Sequence, residues 1–132
     1  MSFPLFSQVA IDVKNSVAGS SRPAHRSGTT GGRVFFLRTE DLDWIEAAGN
    51  YVRLHLGEEA HLFRETMTHM EARLDTRRFV RIHRSRIVNT ERIKELQPWF
   101  NGEYVVVLHN GTQLRLSRSY REKLEERLGK AI

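Results

Sequence analysis

The sequence predicts a mainly β fold of about eight to ten short strands in small antiparallel sheets, with two short helices. Most apolar residues between positions 33 and 117 recur with a period of two, which is typical of half-buried strands. Turn residues, chiefly Gly and Asn, separate these runs at short intervals. The period changes to helical spacing in two places, near residues 66–75 and near the carboxyl end.

The 132 residues allow one folded domain preceded by a tail. Residues 15–32 are mostly Ser, Gly, Thr and Ala, with too few large apolar side chains to offset the entropy of ordering them. They predict a flexible linker. The preceding segment, FPLFSQVAIDV, is compatible with a strand, a short helix or the remnant of something longer. We therefore expect an N-terminal segment and linker at 1–32 and a folded domain at 33–130.

Four strand-like runs open the folded domain. Their sequences are RVFFLRT, DLDWIEA, NYVRLHL and AHLFRE. Gly49-Asn50 predicts a turn between the second and third runs, because both residues tolerate positive φ. Residues 57–59 predict another turn before the fourth run.

Two segments have the apolar spacing of amphipathic helices. In TMTHMEARLD the apolar stripe comprises Met67, Met70 and Leu74. In SRSYREKLEERL it comprises Tyr120, Leu124 and Leu128. Capping boxes are expected where Ser or Thr precedes Glu by three residues, as in Thr68 with Glu71 and Ser119 with Glu122. Thr66 is an equally good cap for the first helix.

Three further runs, RIKELQPW, EYVVVLH and TQLRLS, fill the second half of the domain. Asn-Gly pairs at 101–102 and 110–111 separate them. Asn-Gly between two strand-like runs favours a type I′ hairpin, because this turn requires positive φ at both central residues. We expect such a hairpin at Asn110-Gly111.

The segment FVRIHRSRIVN begins as a strand but is rich in positive charge. The seven basic residues between positions 77 and 94, against the single acid Glu91, are Arg77, Arg78, Arg81, Arg84, Arg86, Arg92 and Lys94. If Val80 and Ile82 face the core, strict alternation would also bury Arg84, which is costly for an unpaired charge. The sequence therefore predicts a turn or bulge at HRS, with burial resuming at Ile87 or Val88.

The charge balance indicates a polyanionic partner. There are 21 Lys and Arg against 16 Asp and Glu, a net charge of +5 and a pI near 10.1. Arginine suits phosphate oxygens and the O6 and N7 edge of guanine. In SRSYR, Arg118 and Arg121 lie at a helix start, where backbone N–H groups favour anions. Alternatively, the arginines form a solvated face or pair with acids such as Glu91 and Glu95.

Catalytic and metal-binding motifs are not found in the sequence. The absence of Cys excludes disulfides and thiolate metal sites, and favours a reducing cytoplasm. No G-x-S-x-G, Walker-type or H-E-x-x-H motif occurs, and no His has a partner at a diagnostic metal-binding spacing. We expect no enzymatic activity, no cofactor and no metal. No segment approaches the roughly 18 apolar residues of a membrane span.

Three blocks, DLDWIEAAGNYVRLHL, FVRIHRSRIVN and GEYVVVLHNGTQLRLSRSYREKL, occur in a characteristic order and spacing. Over residues 33–128 they resemble the LytTR DNA-binding domain, the output module of many bacterial response regulators. The resemblance implies an elongated, mostly β, LytTR-like fold in which loops enter successive major grooves. It also implies double-stranded DNA as the partner, with direct-repeat promoter sites bound by a homodimer or by two protomers in tandem.

Carried over by position, the family's DNA-contacting loops fall at Asn50 and Tyr51, at the HRS turn, and at residues 118–121. The expected DNA-binding residues are Asn50, Tyr51, Arg53, Arg81, His83, Arg84, Ser85, Arg86, Arg118, Ser119 and Arg121. The resemblance thus implies a sequence-specific bacterial transcription regulator. Phosphate contacts would set its register, while Arg84, with Asn50 and Arg118, would read base edges.

One departure from the family pattern concerns the region before the domain. Residues 1–32 are too few for a receiver domain. The expectations are an excised domain, a truncated paralogue, or a stand-alone regulator whose sensor or receiver acts in trans. An alternative function is a protein-interaction module of a signalling system without DNA binding, using an exposed strand edge or the segment FPLFSQVAIDV.

Overall fold

The computed structural model describes residues 8–12 and 34–132, with side chains from Leu37 onward. Within those residues the chain forms ten strands: β1 (Gln8–Asp12), β2 (Val34–Arg38), β3 (Trp44–Ala48), β4 (Tyr51–Leu56), β5 (Glu59–Phe63), β6 (Phe79–His83), β7 (Arg86–Asn89), β8 (Ile93–Pro98), β9 (Tyr104–Leu108) and β10 (Gln113–Leu116). Its two α-helices are α1 (Met67–Arg73) and α2 (Arg121–Leu128). The predicted mainly β fold is confirmed. The predicted linker, 15–32, lies outside the described residues, whereas part of FPLFSQVAIDV forms β1.

The strands form three antiparallel sheets in the described part of the chain. The largest has five strands in the order β5-β4-β3-β7-β6, and the others are the three-stranded β10-β9-β8 and the pair β1-β2. At the centre of the large sheet, Trp44 of β3 pairs with His55 of β4 and with Val88 of β7. The small antiparallel sheets of the prediction are therefore confirmed.

Two hydrophobic cores cover opposite faces of the five-stranded sheet. The first, beside α1, contains Leu37, Leu42, Ile45, Val52, Leu54, Met67, Met70, Leu74, Phe79 and Ile87. The second, beside the three-stranded sheet and α2, contains Val80, Ile82, Val88, Val106, Leu108, Leu114, Leu116 and Leu124. Successive strand residues point to opposite faces, so Ile87 enters one core and Val88 the other.

This double coverage explains the burial of the segment FVRIHRSRIVN. The sequence predicted that burial resumes at Ile87 or at Val88, and both are buried because each face of the sheet is covered. Val80 and Ile82 are buried as expected. The chain turns between them and β7, and the strand register shifts between Arg81 and His83. The predicted break in the strand therefore combines a turn with a bulge.

The two helices begin differently from each other. Thr66 caps α1, its hydroxyl accepting a hydrogen bond from the His69 N–H at 3.0 Å. The capping box predicted at Ser119 is wrong, because a 3₁₀ turn precedes α2 and makes Tyr120 the cap residue, without a side-chain cap bond. All of the predicted apolar stripe of α1 is buried. In α2, Leu124 is buried but Leu128 is exposed.

The hairpin at Asn110-Gly111 forms, but not through the predicted type I′ turn. Gly111 has positive φ at 94° whereas Asn110 does not. The Gly111 N–H bonds to the Leu108 carbonyl at 2.9 Å, and the Asn110 carboxamide accepts the Thr112 N–H at 2.9 Å. A three-residue loop of this kind, with Gly in the left-handed conformation, is a common alternative hairpin connection.

Positive φ at both central residues occurs instead at the other Asn-Gly pair. Asn101 has φ 55° and Gly102 has φ 79°, in the turn that joins β8 to β9. The Trp99 N–H donates to the Glu103 carbonyl at 2.8 Å and closes this hairpin. The tip of the β8–β9 hairpin is thus held in one backbone conformation.

Candidate nucleic-acid interface

Four turns lie together at one end of the molecule, which we call the loop end. In the five-stranded sheet Glu46 pairs with Arg86, so the carboxyl end of β3 lies beside the start of β7. The Ala47 N–H also donates to the Ser85 carbonyl at 3.0 Å. The turn after β3 and the turn before β7 therefore share this end of the sheet.

The other two turns of the loop end come from the three-stranded sheet and the entry to α2. The Ser117 N–H donates to the Ile82 carbonyl at 3.0 Å, which places the turn 118–120 beside the end of β6. Tyr104 pairs with both Leu116 and Pro98, so the β8–β9 turn lies at the same end. The three predicted DNA-contacting loops are thus brought together, with the β8–β9 tip beside them.

Hydrogen bonds within the HRS turn fix its shape. The Ser85 N–H donates to His83 Nδ1 at 3.1 Å, and Arg86 donates to Ser85 Oγ at 2.9 Å. Because Nδ1 accepts a backbone N–H, the neutral ring carries its proton on Nε2. The turn therefore offers two kinds of hydrogen-bond donor, the Nε2–H of His83 and the guanidinium of Arg84.

The electrostatic surroundings of His83 favour its neutral form. Partial burial is the largest cause that lowers its pKa, and the positive charges of Arg86 and Arg84 lower the pKa further. Arg115 acts in the same direction, while Glu103 opposes them. At neutral pH the ring is uncharged, so the positive charge of the turn comes from its arginines.

Arg84 is exposed at the apex of this turn. Among the described residues no hydrogen bond or ion pair engages its guanidinium group. Other members of the basic run behave differently, since Arg77 pairs with Asp75 at 3.2 Å and Arg78 with Glu91 at 2.7 Å. Pairing with acids explains those residues, as the alternative interpretation expected, but it does not explain Arg84.

Arg81 supports the turn from beneath. Only 13% of its side chain is exposed, and Nη1 donates to Glu71 of α1 at 3.1 Å. Nη2 donates to the backbone carbonyl of Arg84. Its guanidinium is therefore already engaged by the fold, and the position of Arg81 is that of a residue that orients Arg84.

The turn between β3 and β4 presents Asn50 and Tyr51. Gly49 has positive φ at 66°, which suits the first central position of a two-residue hairpin turn. Asn50 is exposed, while Tyr51 lies under the guanidinium of Arg64, 5.8 Å from the ring centre. Arg53, also predicted to bind DNA, lies further along β4.

Arg53 and Arg86 flank a carboxylate on the face of the sheet. Glu46 lies 3.5 Å from the Arg53 guanidinium and 2.7 Å from His55 Nε2. Trp44 stacks on His55, and the Arg86 guanidinium lies 5.9 Å from the Trp44 ring. The charge of Arg53 is thus partly neutralised by Glu46. The guanidinium of Arg86 is instead held against the HRS turn by its hydrogen bond to Ser85.

The entry to α2 contains one accessible and one engaged arginine. Arg118 and Ser119 are exposed. Arg121 donates to Glu125 at 3.3 Å and to the backbone carbonyl of Ile132 at 2.8 Å. Its guanidinium also lies 5.3 Å from the Tyr104 ring. Arg118 is therefore the accessible cation of this loop.

Sequence reasoning missed Arg64 and Arg115. Arg64 follows β5 and, in the register that pairs Val52 with Phe63, it stands next to Tyr51. That register follows from a turn at residues 57–58, whereas the sequence predicted the turn at 57–59. Arg115 of β10 lies 5.2 Å from the ring of Trp99, which follows β8 on the far side of β9. This contact had no sequence signal, because it depends on how β8 and β10 flank β9.

The described residues offer neither a cluster of metal ligands nor a helix that could span a membrane. In residues 8–12 and 34–132 no three His, Asp or Glu side chains are grouped as metal ligands. No helix in the same part of the chain is both long and apolar enough to cross a membrane.

The fold and the loop end together define a mainly β domain in which the accessible arginines of the loop end, Arg84 and Arg118, stand on turns. The family described as the LytTr DNA-binding domain matches residues 32–129 of this sequence. The chain therefore belongs to the LytTR family of DNA-binding domains, as the three sequence blocks predicted.

Relatives of known name agree with this assignment. The sensory transduction protein LytT of Bacillus subtilis (strain 168) is 31% identical over 115 residues, which cover 87% of this chain and 46% of that protein. The transcriptional regulatory protein LytR of Staphylococcus aureus (strain N315) is 32% identical over 97 residues, which cover 74% of this chain and 39% of that protein. The chain thus spans less than half the length of these relatives.

A solved structure has the same fold. It is described as the LytTr DNA-binding domain of a methyl-accepting/DNA response regulator from Bacillus cereus. Its TM-score is 0.68 at 23% identity, and the match covers 87% of this chain and 97% of that one. The matching family and this solved structure are both described as DNA-binding domains, and the two relatives are named as sensory transduction and transcriptional regulatory proteins.

Proposed function

We propose that residues 33–130 form the sequence-specific DNA-binding domain of a bacterial transcription regulator, acting in the cytoplasm. The turns of the loop end would enter successive major grooves of a promoter site. The observation that carries this proposal is Arg84, an exposed guanidinium without a partner among the described residues, on a turn whose backbone is already fixed.

Each turn has a role that its geometry supports. Arg84 can donate two parallel hydrogen bonds to guanine O6 and N7, which specifies a base pair. His83 Nε2 and Ser85 can add neighbouring polar contacts. Arg118, accessible at the entry to α2, suits a phosphate oxygen, and Asn50 suits an adenine edge. Contacts to phosphates position the domain, while contacts to bases select the sequence.

The binding site would contain direct repeats, occupied by a homodimer or by two protomers in tandem. This part of the proposal rests on the family to which the chain belongs. The regulatory input would come from a sensor or receiver domain, in the same protein or in trans, since the named relatives are more than twice as long as the matched region.

The test starts with selection of bound duplexes from a random DNA pool by the full chain. Replacement Arg84→Ala should then cost roughly 1 to 3 kcal/mol on the selected site and relax the preference at one base position. Arg77→Ala is the matched control, because Arg77 is exposed, pairs locally with Asp75, and precedes the opposite end of β6.

Two results would contradict the proposal at different levels. An equal loss of affinity on selected and random duplexes would make Arg84 a phosphate contact only. Failure of the unmodified chain to retain any duplex at low salt, together with a stable protein complex, would favour a protein-interaction module instead.

A further inference from the structure

The β8–β9 hairpin ends in two exposed aromatic side chains. In the described residues the exposed large apolar side chains are Phe100 at 69%, Trp99 at 47% and Leu128 at 36%. Exposing a large aromatic side chain at a hairpin apex contributes nothing to either core. A contiguous exposed apolar surface of this kind marks an interaction site.

The tip lies against the loops that are proposed to touch DNA. A Cβ built on Gly102 would be 2.9 Å from Cδ of Arg118, so the tip and the Arg118 side chain are in close contact. On the other side, Glu103 and Arg115 act electrostatically on His83 of the HRS turn. The tip therefore lies next to two of the three proposed DNA-contacting turns.

Contacts within the domain brace the tip. Trp99 and Phe100 pack edge to face with ring centres 5.1 Å apart. The Arg115 guanidinium lies 5.2 Å from the Trp99 ring and donates to Glu103 at 3.1 Å. Trp99 is thus held from below, while Phe100 projects at the apex of a turn with two positive φ values.

Charge around the tip identifies the kind of partner that it fits. Two arginines border the tip: Arg115 lies over Trp99 and is paired with Glu103, and Arg118 lies against Gly102. An apolar apex flanked by guanidinium groups suits a ligand that has both negative charge and flat apolar faces. Nucleic acid has both, in its phosphates and in its bases and sugars.

We propose that the β8–β9 tip is a fourth contact with the same DNA duplex. Phe100 enters the minor groove as a wedge against a base step at the edge of the site, with Trp99 behind it. Arg118 lies along the adjoining phosphates, while Arg115, paired with Glu103, supports Trp99. This inference rests on the proposed DNA-binding function and adds to it a contact that partly unstacks the duplex.

The test uses the duplex recovered from the random pool, with 2-aminopurine placed in turn at each step of its flanks. Binding of the unmodified chain should raise the fluorescence at one flanking step, because unstacking relieves quenching. Phe100→Ala should abolish that rise and weaken binding by about five-fold or more. Leu128→Ala removes another exposed apolar side chain and should change neither. Thermal unfolding of each variant verifies that the fold is intact.

The outcomes separate this inference from the proposed function. If the unmodified chain binds the selected duplex but Phe100→Ala keeps both the affinity and the fluorescence rise, the fourth contact is refuted and DNA binding stands. If Phe100→Ala instead abolishes self-association of the free chain in ultracentrifugation and leaves the fluorescence rise intact, the tip is a protein contact. If no duplex is recovered, both proposals fail together.

Discussion

Arg81 and Arg84 are three residues apart in the same basic segment, yet the structure places them in opposite roles. The guanidinium of Arg81 is shared between Glu71 and the carbonyl of Arg84, with little exposure to solvent. A carboxylate and a carbonyl together offset much of the cost of burying this cation, although Nε has no hydrogen-bond partner among the described residues. The same contact leaves Arg84 facing outward. The charge of the segment thus stabilises the turn through Arg81 and leaves Arg84 accessible for the proposed contact.

The pKa of His83 gives a prediction for stability against pH. Burial and the neighbouring Arg86 and Arg84 lower this pKa in the folded state below its unfolded value near 6.5. Below that pH the unfolded state therefore binds more protons than the folded state, and folding stability falls as the pH falls. The stabilisation is fully present above about pH 6.5 and is lost as the pH drops toward the folded pKa.

Replacement His83→Gln isolates this contribution. The difference in the free energy of unfolding between the wild type and this variant should be constant from pH 8 to 7 and should shrink as the pH falls below about 6.5. Urea unfolding at half-unit intervals of pH measures it. His55, whose pKa is lowered chiefly by burial, remains in both proteins and cancels in the difference. A difference that does not vary with pH would contradict the structural explanation.

For individual residues, the sequence predicted that Arg84 points outward. It did not predict the hydrogen bonds that hold Arg81 and Arg121 within the fold. The direction of Arg84 followed from alternation in a single strand, which is a local rule. The partners of Arg81 and Arg121 lie on α1 and at Ile132, and no local pattern places those groups nearby. All four residues were predicted to contact DNA. The side chains of Arg84 and Arg118 are accessible for such a contact, whereas those of Arg81 and Arg121 are held by the fold.

At the level of secondary-structure elements, the two Asn-Gly pairs show that a dipeptide predicts a turn but not its type. Both pairs are hairpin turns, as their sequences indicate, but positive φ at both residues occurs at Asn101-Gly102 and not at Asn110-Gly111. Loop length decides between turn types, and the register of β9 with its two neighbours sets that length. Because register depends on pairing across the sheet, the dipeptide alone could not specify it.

Gly102 and Gly111 form a matched pair for a test of the tip. Both have positive φ, so Ala at either position should lower the free energy of unfolding by about 1 kcal/mol or more. A Cβ at Gly111 meets nothing within 4 Å, whereas one at Gly102 would displace the Arg118 side chain. Gly102→Ala should therefore also weaken DNA binding, and Gly111→Ala should not. Equal affinities of the two variants, measured by fluorescence anisotropy, would contradict a role for Arg118.

For the whole molecule, the five-stranded sheet with a hydrophobic core on each face shows which parts of the fold the sequence predicts and which it does not. Period-two patterning and two helical segments were sufficient for the mainly β class and for both helices. The sequence predicts one core, whereas the consecutive residues Ile87, Val88 and Asn89 are all buried because both faces of the sheet are covered. A continuous buried run is the local signature of a doubly covered strand.

The basic loop end predicts a steep dependence of DNA affinity on salt. For each phosphate that the domain neutralises, the slope of log K against log salt concentration should be about −0.9. Arg118→Ala should reduce that slope by about one phosphate equivalent, and Arg77→Ala, at a residue already paired with Asp75, should leave it unchanged. Anisotropy titrations across a range of salt concentrations measure the slopes. An affinity independent of salt would refute the electrostatic part of the proposal.

The hydrogen bonds within the HRS turn have a consequence for how recognition proceeds. Ser85 bonded to His83, and Arg81 bonded to the carbonyl of Arg84, hold the backbone of the apex without help from a ligand. Such preorganisation removes the entropic cost of ordering a loop upon association. The turn should therefore keep the same shape on binding. Selection between duplexes should then depend on how readily each duplex deforms to fit the protein.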